Sequence, residues 1–258
     1  MRVKAGSIMV ETIAIKPSQR RMWFAGPLVL MALIILLSLG TWQVQRLYWK
    51  EALMADIQQR THTPAVELAE IERLAASGGD IEYRTVRLSG TFDHTKEQHF
   101  FATHQGQTGY YIYTPLKLAD GRSIFVNRGF VPYEMKDATK RSLGQVDGLV
   151  AIEGLARAQL AKKPSMMLPD NDLTKNIYYW KDLRAMADSA GISRNSLVPF
   201  FVDADTAPNP GGWPKGGVTI IDLPNNHLQY AITWYGLAAA LVFVAGFAYV
   251  RGSRNTSD

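Results

Sequence analysis

Two stretches of the chain carry no charged side chain, and a polar middle with short alternating apolar runs lies between them. The first stretch runs from Met22 to Gln45 around WFAGPLVLMALIILLSLGTW; the second runs from Leu228 to Val250, LQYAITWYGLAAALVFVAGFAYV. Each is apolar all round rather than along one stripe, and each has the roughly 20 residues needed to cross about 30 Å of hydrocarbon. Trp23 and Trp42 stand near the ends of the first stretch, where aromatic rings prefer the headgroup level. Pro27 falls early in it, where a missing backbone hydrogen bond costs least. A cleavable signal peptide is the competing reading of this block. The apolar run is too long for that, and Gln43, Gln45 and Arg46 make no small-residue cleavage site.

The pattern changes beyond the first span. RLYWKEALMADIQQR is rich in helix formers and predicts a few further helical turns ending before Thr63-Pro64. Glu67 to Ala76 reads as a short helix stopped by Ser77-Gly78-Gly79. From Tyr83 onward the period falls to two, with Val86, Leu88, Gly90 and Phe92 on one strand face. QHFFATH and GYYIYTPL are further strands, and Asp120-Gly121 in LKLADGRSIFVNRGF is the strongest hairpin signal in the chain. VDGLVAIEGLAR, LVPFFVDA and GGVTIIDL complete the expected strands, while DTAPNPGGWP is a Pro/Gly loop. WKDLRAMADSAG predicts a helix with Leu183, Met186, Ala187 and Ala190 on one face and Gly191 as its stop. The fold class expected is therefore an α+β membrane protein. Two transmembrane helices (22–45 and 228–250) flank a mainly antiparallel β domain with a few helices (46–227), curled toward a barrel, and short tails (1–21 and 251–258) close the chain.

Charge sets the orientation. The net charge is +5, and Arg2, Lys4, Lys16, Arg20 and Arg21 crowd the tail before the first span, opposed only by Glu11. The positive-inside rule places this tail, and Arg251 and Arg254 after the second span, on the cytoplasmic side. If the membrane is mitochondrial, that side is the matrix; the short tail, not clearly amphipathic, favours a bacterial inner membrane, so the domain between the spans faces the periplasm, with lipid as a partner of both spans. No basic stripe with interleaved aromatics suggests nucleic acid. The chain has no cysteine, which excludes disulfides, thiolate zinc sites, iron–sulfur clusters and Cys-based copper relays.

Catalytic signatures are missing: there is no GxSxG elbow, Walker loop, GxGxxG after a strand, or HExxH. His94, His99 and His104 invite a metal, but their five-residue spacing puts neighbours on opposite faces of a single strand, and polar surface positions explain them better. Arg128 in VNRGF either binds an anion or braces the fold through backbone carbonyls, and bracing is the stronger reading. His227, Tyr230, Ala231 and Trp234 share one side of a helix at the outer mouth of the second span. Trp42 and Arg46 share a side at the outer end of the first, at similar depth in an antiparallel pair. A neutral imidazole can ligate haem iron, an arginine can pair with propionates, and aromatics can line the macrocycle. On residue chemistry alone, interfacial anchoring explains the same set better.

GTWQVQRLYWK, GYYIYTPL, VNRGFVP and NNHLQYAITWYGLA occur in this order, and with this two-span layout the chain resembles the Surfeit-locus family of cytochrome c oxidase assembly factors from Gly40 to Tyr235. The resemblance implies a membrane assembly factor, not an enzyme, whose partners are the catalytic subunit of the oxidase and haem a synthase. It also implies haem a as a transient cofactor. The family's histidine before the second span corresponds to His227, its tryptophan and arginine after the first to Trp42 and Arg46, and its RG turn to Arg128-Gly129. His227, Trp42 and Arg46 form the expected haem site together with Tyr230 and Trp234, His227 being the iron ligand. One departure is Phe130, where many relatives carry tryptophan. Two other readings compete: a scaffold that grips oxidase subunits without touching cofactor, and an outward-facing membrane-anchored hydrolase.

Overall fold

The structure, a computed structural model, describes residues 19–219, 221 and 224–254. Residues 1–18, the side chains of residues 19–24 (Arg20, Arg21 and Trp23 among them) and of Ser253 and Arg254, three residues of the GGVTIIDL segment and residues 255–258 lie outside the described residues. There are two compact units: one joins the ends of the chain, up to Ala52 and from Pro224, and the other holds Leu53–Leu223.

The first unit is built from α1 (Gln19–His62), which gives its last ten residues to the second unit, and α4 (His227–Arg254). Both helices are long and apolar enough to cross a membrane. They meet through small residues: Gly40 lies under the Tyr235 ring, and Ala231 and Ala238 are buried. Without a hydrophobic drive between helices in lipid, close backbone approach at small residues supplies the packing contacts. Thr41 Oγ1 lies 3.1 Å from the Tyr235 hydroxyl, and Lys50 Nζ donates to the Pro224 carbonyl.

The second unit is a closed barrel. β2 (Thr85–Phe92), β6 (Leu149–Ala158), β8 (Leu197–Ala204), β5 (Ser123–Pro132) and β4 (Gln107–Leu118) pair in that order, and β4 returns to β2. All of these pairs are antiparallel except β5 with β8. The closing pair brings Gly90 opposite Leu118, where an added Cβ would meet the Lys117 carbonyl at 2.4 Å, so the seam needs a glycine. The first half of β4 pairs instead with β3 (Gln98–His104), and β3 carries the two-residue β7 (Ile177–Tyr178) on its other side. A second two-residue strand, β1 (Val66–Glu67), lies parallel to β2.

Alternation sorts the side chains between two layers. Val198, Phe200 and Val202 of β8 point inward with Val86, Leu88, Leu116, Ile124 and Val126, and α2 (Leu68–Ala76) plugs this core through Ile71. Phe201 points outward, where Leu183, Met186, Ala187 and Ala190 of α3 (Leu183–Ser189) and its C-cap cover it together with Phe125 and Tyr113. The expected amphipathic face of this helix is the buried one. The GGVTIIDL strand is the exception. Lys215 makes a single bridge to Phe130, and residues 216–219 are irregular, with Gly217 at φ 66° turning its N–H to the Ala204 carbonyl. Over its first five residues β5 already has β4 and β8 on its two sides, so no edge is left there for another strand.

Candidate functional site

In the helix pair, His227 opens α4 and its Nδ1 lies 2.7 Å from Oε1 of Gln43 on α1. Gln43 is only 9% exposed, so the amide is committed to this contact. The Asn225 side chain accepts from the His227 N–H at 3.4 Å, which helps to start the helix at this residue. Trp234, two turns further along the same stripe as His227 and Ala231, has an indole nitrogen shielded from solvent and without a partner among the described residues. A buried donor left unpaired costs about 1–3 kcal/mol, which makes the indole a place where an acceptor would be welcome.

The five side chains expected to converge do not all do so. His227 and Trp234 turn to the helix seam; Trp42 and Tyr230 are 53% and 55% exposed on its outside. Arg46 is exposed as well, its guanidinium stacked 3.8 Å from the Trp49 ring centroid. Gln43 stands at the outer end of the first span in the sequence, between Trp42 and Arg46, but sequence reasoning left it out of the site. Its signal was available: a polar side chain three residues after Gly40 shares that glycine's helix face, so whatever packs on Gly40 also meets Gln43.

In the barrel unit a second polar group is fully buried. Arg128, 2% exposed, donates through Nη2 to the Gly144 carbonyl and to Asn209 Oδ1 at 3.2 Å. Its Nη1 faces His94 Nδ1 at 3.3 Å and Glu97 at 3.5 Å, and the guanidinium covers the Phe92 ring at 4.7 Å. Glu97 in turn takes two hydrogen bonds from Arg141, at 3.1 and 2.6 Å. Burial alone would raise the Glu97 carboxyl, but the adjoining His94 and Arg141 and the charge of Arg128 override it and hold it at about 2. Burial pushes the Arg128 guanidinium down to about 10. Arg128 thus ties β5 to the turn before β3 and to two loops, and bracing is what it does here.

The three histidines separate. His94 donates through Nε2 to the Val146 carbonyl at 2.9 Å, His99 packs edge-on against Tyr110, and His104 lies 5.3 Å from the Phe130 ring centroid. An open cleft of about 860 Å³ is lined by His94, Glu97, His99, Tyr110, Tyr133 and Lys136 among others. Its buried carboxylate is committed to two arginines, and no group of three or more His, Asp or Glu among the described residues could hold a metal.

The sequence profile of the SURF1 family matches residues 30–239, which takes in the seam, the barrel and the Arg128 cluster. The chain belongs to the SURF1 family. It is 36% identical over 245 residues to Surfeit locus protein 1 of Xenopus tropicalis, covering 87% of this chain and 75% of the relative. Against Surfeit locus protein 1 of Homo sapiens it is 34% identical over 268 residues, covering 97% and 85%. A SURF1-like protein of Monosiga brevicollis is 34% identical over 236 residues, covering 86% and 87%. The SURF1 match thus includes Gln43, His227 and Trp234, and it also includes Arg128 and Gly129.

Proposed function

We propose that this SURF1-family chain is an assembly factor for haem-copper cytochrome c oxidase that holds haem a in transit to the catalytic subunit. The observation that carries the reading is His227 held at the start of α4 against Gln43, on the same stripe as a buried indole N–H that has no partner among the described residues. These residues fit the group. A neutral imidazole ligates haem iron and the Trp234 N–H offers a donor to a polar substituent, while Trp42 and Tyr230, outside the seam, leave aromatic faces free on the same pair of helices. Arg46, exposed beside them in sequence, supplies a cation for propionate carboxylates. Haem a, once delivered, supplies the redox iron of the oxidase. The chain's own part is to bind, orient and shield it, without catalysis.

The basic residues that flank the spans put both termini on one side and the barrel on the other, and the short, not clearly amphipathic N-terminal tail favours the cytoplasm and periplasm of a bacterial inner membrane for these sides. The oxidase catalytic subunit and haem a synthase are then the partners to seek, as receiver and supplier. The test is to co-express the protein with the haem a synthesis enzymes and compare the visible spectrum of the purified protein with that of His227→Ala. Haem a in the first and its loss in the second supports the reading. Equal retention removes His227 as ligand, and absence from both leaves the scaffold reading, in which the protein grips oxidase subunits without cofactor.

A further inference from the structure

We infer that Gln43 is the positioning residue that selects the tautomer of His227 and so leaves Nε2 as the metal-binding nitrogen. The inference rests on the haem reading above for its purpose, but its geometry stands alone. Gln43 Oε1 is a carbonyl oxygen and can only accept, so at 2.7 Å the His227 Nδ1 must carry the hydrogen. A neutral imidazole has one N–H, so Nε2 keeps its lone pair. No described side chain or backbone group is paired with Nε2. An iron-ligating histidine commonly donates its other N–H to a carboxylate, a carbonyl or water, which fixes the ring plane and raises the basicity of the ligating nitrogen.

Two features make the contact a fixed one. Gln43 is buried and the helices approach closely at Gly40 and Ala231, so neither partner can swing away without opening the seam. His227 is also the first residue of α4, and its backbone N–H is taken by Asn225, so the ring is anchored from two directions. Were the amide turned over, its NH₂ would donate to Nδ1, the ring hydrogen would move to Nε2, and the metal-binding position would be blocked.

The experiment uses the full chain in detergent micelles, as wild type, Gln43→Leu, Gln43→Glu and His227→Ala. Without haem, nitrogen-15 NMR of labelled histidine at pH 8 reads the tautomer of residue 227, with His227→Ala giving the assignment. Haem a titration by visible absorption then reads affinity and ligation. The wild type is expected to show the Nδ1–H form, as is Gln43→Glu, which keeps an acceptor in place. Gln43→Leu is expected to lose that form and to bind haem a about 10–100-fold more weakly. An Nε2–H form in the wild type overturns the inference. So does a Gln43→Leu protein with unchanged tautomer and haem a affinity while His227→Ala has lost haem. If Gln43→Leu fails to fold, Gln43→Glu decides: its tautomer and haem a affinity must match the wild type, and a folded Gln43→Glu that binds no haem refutes the assignment. Retention of haem by His227→Ala would instead sink the ligand assignment under the proposed function, with the apo tautomer still testing Gln43.

Discussion

Replacing Glu97 by glutamine tests what the buried ion cluster contributes to the barrel. The carboxylate is 4% exposed, faces Arg141 at 2.6 Å and Arg128 at 3.5 Å, and both guanidinium groups are as deeply buried. Glutamine keeps the shape, removes the charge and points an NH₂ at a guanidinium donor. Taking one partner from a buried pair costs about 3–5 kcal/mol, because the remaining charge is stranded. A second route gives a similar figure. The carboxyl falls from its ordinary 4.5 to about 2 in the fold, which at about 1.4 kcal/mol per pH unit is about 3 kcal/mol. For a unit of this size such a loss lowers Tm by about 6–20 °C at pH 7. The sign against pH is fixed. A carboxyl depressed on folding contributes fully above pH 4.5, and its contribution disappears as pH falls toward 2, because only the unfolded chain takes up the proton early. Thermal melts of the full chain in detergent, followed by near-ultraviolet circular dichroism of the tyrosine-rich barrel, should show the gap between wild type and Glu97→Gln closing across that window. An unshifted Tm at neutral pH, or a shift that persists unchanged at pH 2.5, would refute the charge argument and leave only packing.

Other predictions use the same melts. Burial, helped by Lys136, holds the His99 imidazole neutral with its pKa lowered to about 4, so the fold loses stability as pH falls from 6.5 through 4; His99→Phe should remove that slope, and an unchanged slope would assign it elsewhere. Gly129 has φ 122°, and a Cβ there would come within 1.8 Å of the Lys215 carbonyl, so Gly129→Ala should cost several kcal/mol and break the bridge to Phe130. Gly121, at φ 85° with open space around it, should lose only about 1 kcal/mol on the same change; equal effects at both sites would contradict the clash.

Elements whose order is local were legible in the sequence. The Asp120-Gly121 hairpin, the β-rich run of β8 and the apolar stripe of α3 each announce themselves within a dozen residues, and the structure places each as expected. Glu97 and Arg141 were not legible, since residues 44 positions apart that meet as a pair leave no local period. The seam was half legible. The depth of Trp42, Arg46 and His227 follows from span length, but which face of α1 meets α4 depends on the side-chain sizes at Gly40, Ala231 and Ala238. That rotation exchanges Arg46 for Gln43. The GGVTIIDL segment shows the opposite failure: its strand propensity is real, but its described residues join no strand, and β5 is already paired on both sides over its first five residues.

The position of β8 in the barrel bears on how the chain is made. This strand lies between β5 and β6, which are not neighbours of each other, so the wall stays open until residue 204 has been synthesised. Before that point the strands on either side both present unpaired edges, and most of the barrel sequence waits on a segment only 22 residues ahead of α4. Folding of the domain is thereby coupled to synthesis of β8, and a nascent chain cut short anywhere before it would be a target for proteolysis rather than a smaller working version of the barrel.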